Sequence, residues 1–307
     1  MHPTFFSRAI LIVFTLIGTV RAADPFPLPT PTSSYDVGTL HIDQFGAGPH
    51  PLILIPGLAG GPWVYSDLIP RLSSAHTLYL LTLPGFDGQP FIPEKSLFNT
   101  FSQNFWTLLS DHHIDHPALI GHSLGGTLSF SLAEEHPERL SSVIAIDGLP
   151  IFPMLAFSTP DQRQTMASQM ASTFSSLSKS ELLANQKSFL STMGTSKPEL
   201  VGPAAELQSR SDPKAIAAWI EEDLTTDLRP NLNKITIPLL ELMPYDPADH
   251  SPYTQPQTLL FYQALLAGTP HATVLPITPS RHFIMLDQPD LFYQSITHFL
   301  SQVASSQ

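Results

Sequence analysis

The chain has 307 residues, 42% of them hydrophobic and 13% charged, which provides for one large core, or a core with an inserted cap, and argues against a disordered chain. A formal charge of −12 argues against a nucleic-acid binder that neutralises phosphates. No cysteine is present, so there is no disulfide framework, no thiolate metal site, no cysteine nucleophile and no cysteine-linked lipid anchor.

In chain order, Arg8 precedes an apolar run over residues 9–20, and Val20 and Ala22 place small residues where a signal peptidase reads them. The run is short of the ~20 residues that span a bilayer. Residues 1–22 are therefore expected to be a signal peptide cleaved near Ala22, with a periplasmic or extracellular product and no stable membrane insertion after cleavage. A retained leader would instead tether the protein to a membrane. Residues 23–38, with Pro25, Pro27, Pro29 and Pro31, read as an extended Pro/Ser/Thr-rich tether.

Residues 39–43 alternate apolar and polar, as a half-buried strand does, and 52–55 form a continuous apolar strand. The glycine-rich loop 56–61 that follows can turn backbone amides inward. A helical stretch (63–73), a strand (77–81) and a helix (97–109) come next. Residues 111–116 hold His112, His113 and His116 with Asp111 and Asp115. Their spacing matches no metal pattern, and they read as a solvated connector.

The apolar run 118–120 ends at Gly121, and Ser123 lies between Gly121 and Gly125, two residues from each. A helical segment, 127–135, follows. Strand, sharp turn and helix with a serine at the turn lift the hydroxyl above the strand ends, and the glycines let crowded backbones pass. Residues 121–126, Gly-His-Ser-Leu-Gly-Gly, resemble the nucleophile elbow of the α/β-hydrolase superfamily. The resemblance covers about residues 40–303, loosely so in the middle. It implies an α/β-hydrolase fold: a mostly parallel central sheet flanked by helices, with a helical cap insertion.

Beyond a strand at 142–146, the stretch 149–234 breaks the strand–helix rhythm and reads as that cap, leaving 39–148 and 235–307 as the core. Met166, Met170, Phe174 and Leu177 mark one helix face; with Met154 and Met193, the methionines suit an adaptable apolar pocket. Pro198 and Pro203 are expected to interrupt the cap helices. Strands at 237–243 and 272–276 and helices at 254–266 and 289–303 complete the chain.

A serine hydroxyl needs a base, and the base needs an orienting acid. The resemblance assigns the base to His282, in the loop after the last strand; His122, inside the elbow, reads as a local packing or turn residue, since the base must reach Ser123 from across the site. Two acids are open. Asp246, after the strand 237–243, gives the chain order Ser, Asp, His and is preferred; Asp147, at the end of the strand 142–146, is the alternative. Asp287 is expected at the start of the final helix, near its exposed amides. By the same resemblance the oxyanion donors are the backbone amides of Leu58 and Leu124. The expectation is a serine hydrolase acting on a small-molecule acyl substrate, an ester, with no cofactor and no metal. The same triad could run acyl transfer, perhydrolysis, lactone opening or carbon–carbon cleavage, and a non-catalytic ligand-binding protein of this fold is the remaining alternative. Haloalkane dehalogenases and epoxide hydrolases carry aspartate where Ser123 stands, which disfavours both.

Overall fold

A computed structural model describes residues 24–249 and 252–306. The expected signal peptide, 1–22, lies outside the described residues. Eight strands form one sheet: β1 (Ser33–Val37), β2 (Leu40–Phe45), β3 (His50–Ile55), β4 (His76–Thr82), β5 (Ala118–His122), β6 (Ser142–Ile146), β7 (Leu239–Pro244) and β8 (Ala272–Ile277). Their order is β1-β2-β4-β3-β5-β6-β7-β8. β2 pairs antiparallel with both β1 and β4, and all other pairs are parallel. β5 and β6 are buried along their whole length. That explains their unbroken apolar character, because helices cover both faces of a parallel sheet.

The helices are α1 (Leu68–Leu72), α2 (Leu97–Asp111), α3 (Leu124–Glu135), α4 (Pro160–Ser175), α5 (Lys179–Phe189), α6 (Pro198–Gln208), α7 (Pro213–Thr225), α8 (Gln255–Leu265), α9 (Ile284–Asp287) and α10 (Pro289–Ser306). On one side, Phe101, Phe105 and Leu108 of α2 pack with Leu128 and Leu132 of α3 against Ile53, Leu119 and Val143. On the other, Leu68 and Ile69 of α1 pack with Phe292 and Ile296 of α10 against Leu54, Ile120 and Ile144. Each fully buried Leu, Ile or Phe contributes about 1.5–3 kcal/mol by leaving water.

The expected tether needs correction. Residues 33–37 of it form strand β1, folded back on β2 through Gly38 at φ 57. Phe26 is buried, with its ring 5.3 Å from that of Trp63. The prolines precede the strand instead of preventing it, and Val37 and Phe26 supply the apolar contacts that dock the segment.

Helices α4 to α7 form the insertion between β6 and β7. Pro198 opens α6 at its first turn, where no amide is needed, and Pro203 lies within the helix, so neither interrupts it. The buried face of α4 is Arg163, Ala167 and Ala171. Met154, Met166 and Met193 are exposed and line no apolar pocket; Met170, Phe174 and Leu177 turn inward, Met170 and Phe174 near Leu58, Leu155 and Ile220 and Leu177 against the main core. The register of α4 against α7 selects a face one position away from the one the sequence spacing suggests. The insertion is pinned to the core by Glu222 of α7. Its carboxylate accepts from the amides of Leu97 (2.6 Å) and Phe98 (2.9 Å), the open donors at the start of α2. Trp219 Nε1 donates to the Pro84 carbonyl at 3.2 Å.

Candidate active site

Ser123 stands between β5 and α3 with φ 53 and ψ −121, a conformation that side chains adopt only when surroundings enforce it. The enforcement is close packing. A Cβ on Gly125 would lie 2.1 Å from the Ile55 carbonyl oxygen, and one on Gly121 would lie 2.2 Å from the Gly125 oxygen. The Ser123 amide donates to the Ile146 carbonyl at 2.9 Å, and its own carbonyl accepts from Gly126 and Thr127. Ser123 is thereby tied to the end of β6, directly before Asp147. The Tyr65 hydroxyl lies 3.0 Å from the Ile55 carbonyl oxygen and 3.1 Å from that of Ile120, joining the ends of β3 and β5.

The loop after β3 lies against this turn. A Cβ on Gly57 would come within 2.8 Å of the Ser123 Cβ, so only glycine fits. Leu58 follows, half-buried, beneath Met170 and Phe174 of α4. Leu124, on the other side of Ser123, is the first residue of α3, and a first-turn amide has no intrahelical acceptor.

His282 sits in the loop between β8 and α9. Its Nδ1 lies 2.5 Å from Asp147 Oδ2. With an ionised carboxylate the ring nitrogen is the donor, which leaves the lone pair on Nε2. The other Asp147 oxygen accepts from the Tyr262 hydroxyl of α8. Asp147 itself has φ 48, and its amide donates to the Leu242 carbonyl at 3.0 Å.

Asp246 does not meet His282. Its Oδ2 accepts from Arg281 Nε at 3.0 Å and its Oδ1 from the Ala248 amide at 3.0 Å. Arg281 also bonds Asp249 at 2.8 Å and the carbonyls of Ser191 (3.0 Å) and Thr195 (3.3 Å) in the insertion. The preference for Asp246 over Asp147 is therefore corrected on geometry. The cation next to His282 in sequence captures Asp246, and the imidazole turns to the β6 acid.

The His282 loop is held from three further directions. The amides of His282 and Phe283 donate to the carbonyls of Met193 (3.1 Å) and Gly194 (2.8 Å). Asp287 is buried, and accepts from Thr195 Oγ1 at 2.5 Å, the Ser196 amide at 3.0 Å and the Arg281 amide at 2.8 Å. It thus clamps the insertion to the histidine loop, a correction to its expected place at the final helix. His122 supplies the third hold. Its Nε2 lies 3.1 Å from the His282 carbonyl oxygen and must donate, and the two rings are 4.6 Å apart. Burial, reinforced by the charge His282 can carry, holds the His122 pKa well below its ordinary 6.5. The sequence offered no signal for Tyr262. For Arg281 it offered one, a cation directly before His282 with carboxylates at positions 246 and 249.

His122 carries a testable consequence. His122→Phe keeps the ring packing and removes the donor to His282, and is expected to cost about 1 kcal/mol of stability and to lower kcat more than KM. In the wild type, the unfolded chain takes up a proton at position 122 below about pH 6.5 that the folded chain refuses, so stability falls as pH drops through that window. The variant should lose this part of the acid-side slope, read as Tm against pH.

Of the histidines in the connector before β5, His116 lies 2.7 Å from Asp115 and His112 stacks on Tyr35 at 4.2 Å, away from Ser123.

Residues 50–289 match the family model for the alpha/beta hydrolase fold. The pimeloyl-[acyl-carrier protein] methyl ester esterase of Legionella pneumophila (strain Corby) is 26% identical over 262 residues, covering 85% of this chain and 99% of the esterase. The 2-(acetamidomethylene)succinate hydrolase of Mesorhizobium japonicum is 23% identical over 284 residues, covering 86% of this chain and 93% of that enzyme. Among solved structures, a thermophilic esterase from Thermogutta terrifontis superposes with a TM-score of 0.72 at 17% identity, covering 88% of this chain and 99% of the esterase. With a mostly parallel eight-stranded sheet, a strained serine at a strand-to-helix turn and a match that spans most of its length, the chain belongs to the α/β-hydrolase family of enzymes.

Proposed function

We propose that this enzyme hydrolyses a carboxylic ester of a small acyl substrate through Ser123, His282 and Asp147. The observation that carries the reading is the 2.5 Å contact between His282 Nδ1 and Asp147 Oδ2, one residue beyond the β6 carbonyl that holds the Ser123 amide. Similarity to a methyl ester esterase over almost the whole of that relative supports the ester as the bond cleaved.

In this mechanism Ser123 Oγ attacks the ester carbonyl while His282 Nε2 takes its proton. The carbonyl oxygen becomes an oxyanion, and the amides of Leu58 and Leu124 are the donors for it. The intermediate collapses, the C–O bond to the alcohol breaks, and His282 returns the proton to the leaving alkoxide. Water, deprotonated by His282, then attacks the acyl-enzyme; the acid is released and Ser123 regains its proton. Asp147 keeps the imidazole in the Nδ1–H tautomer and offsets its transient positive charge. Support for Leu58 is the contact between Gly57 and Ser123, and for Leu124 its place at the start of α3.

The test is hydrolysis of p-nitrophenyl esters of increasing acyl length, together with intact mass after a fluorophosphonate probe. Turnover of at least one ester and a single adduct on Ser123 are expected; a folded enzyme that gives neither would sink the reading. Export belongs to the same proposal, and an exported product lacking the mass of residues 1–22 is its expected signature.

A further inference from the structure

β7 carries a carboxylic acid in the middle of the sheet. Glu241 is fully buried, in register with Ala145 of β6 on one side and Val274 of β8 on the other. Neither of its oxygens makes a well-formed hydrogen bond, and the polar groups that act on the carboxyl are the backbone amides of Gly148 and Asp147. The Asp147 amide is already engaged with the Leu242 carbonyl, so Gly148 holds the freer donor. The titratable groups that face Glu241 are Asp147, from the turn after β6, and Tyr262, from α8. Neither is a cation, and the β8 neighbour is an apolar valine.

A fully buried carboxylate beside a partly buried one, with no cation between them, does not readily ionise as well. His282 gives Asp147 a partner for its charge, and Glu241 has none. The Asp147 turn also needs support. It is held at φ 48, and a Cβ on Gly148 would lie 2.6 Å from the Gly126 Cα, so the turn is wedged against α3.

We propose that Glu241, as a protonated carboxylic acid beneath the turn, is a positioning residue for Asp147, and that Tyr262 is its counterpart above. In the protonated form its carbonyl oxygen is the acceptor offered to the Gly148 amide, and its hydroxyl carries no charge to compete with Asp147. Tyr262 occupies Asp147 Oδ1, so that only Oδ2 is free for His282. The site then carries one negative charge, on the partly exposed Asp147, instead of two. Burial first, and the Asp147 charge second, push the Glu241 carboxyl well above its ordinary 4.5, in the direction this arrangement requires.

The proposal rests on the reading of Asp147 as the triad acid, and the experiment separates the two. Glu241→Gln, Glu241→Leu and Asp147→Asn are compared in the full-length enzyme. Glutamine reproduces the neutral acid, so Glu241→Gln should keep kcat and KM close to wild type. Leucine leaves the turn amide without an acceptor, and Glu241→Leu should lower kcat about 100-fold with KM little changed. Infrared difference spectra of wild type minus Glu241→Gln should show a protonated-carboxyl band that persists at about pH 8.5. By that pH the other carboxyls raised by burial, Asp87 at about 6 and Glu134 and Asp223 at about 7, have ionised.

Stability gives a readout independent of activity. The unfolded chain releases the Glu241 proton above about pH 4.5 while the folded chain retains it, so wild-type stability is lost as pH rises. The Tm advantage of Glu241→Gln should therefore grow from about pH 5 to about pH 9. A flat Tm difference, an absent band, or a Glu241→Gln enzyme as slow as Glu241→Leu would overturn the proposal. Full activity in Asp147→Asn would overturn the triad reading instead, and would leave the band and the Tm slope to report on Glu241 alone.

Discussion

Ser123→Ala is expected to lower kcat by about 10⁵-fold and to abolish the fluorophosphonate adduct while leaving the fold intact. The size follows from the chemistry: without Oγ no acyl-enzyme can form, and only substrate positioning and the oxyanion donors remain to speed attack by water. The fold should survive because the strain at Ser123 lies in the backbone and is held by Gly121, Gly125 and the bond to Ile146, none of which uses the hydroxyl. The measurement is paired, with kcat on the best p-nitrophenyl ester and Tm on the same preparation. An alanine variant that hydrolyses esters at the wild-type rate would show that the activity lies elsewhere.

The second large effect separates the two candidate acids. Asp147→Asn is expected to lower kcat by about 10⁴-fold, because an amide facing Nδ1 favours the tautomer that places the proton on Nε2 and leaves no base for Ser123. Asp246→Asn should act mainly on stability. Its side chain is 5% exposed and Arg281 19%, so the pair is largely dry, but Arg281 keeps Asp249 and two backbone carbonyls. A loss of about 2 kcal/mol with a much smaller fall in kcat is expected. If Asp246→Asn proved the slower enzyme of the two, the acid would have to be reassigned to the end of β7.

The insertion and the His282 loop form one mechanical unit. His282 and Phe283 hang from the carbonyls of Met193 and Gly194, Arg281 reaches Ser191 and Thr195, and Asp287 binds Thr195 and Ser196. Substitutions in residues 191–196 are therefore expected to shift His282 as well as the insertion itself.

The sequence alone determined where the strands from β2 to β8 lie along the chain, because strands buried on both faces, such as β3, β5 and β6, must be continuously apolar and a half-buried one such as β2 alternates. It also determined Ser123 and the insertion between β6 and β7, since a strained turn can be built only from glycines at set spacings and an inserted unit breaks the strand–helix rhythm. Which acid meets His282 was not local information. Both carboxylates end neighbouring strands, and the choice fell to Arg281, whose guanidinium takes Asp246, and to Tyr262, which braces Asp147 from another helix. The inward face of α4 was decided in the same way, by packing against α7 and not by methionine spacing. Strand β1 escaped notice because an edge strand buries little and carries few apolar residues; its identity comes from hydrogen bonds to β2 that the sequence does not display. Periodicity records which surfaces leave water, whereas pairings between polar groups far apart in the chain exist only once the sheet has brought them together.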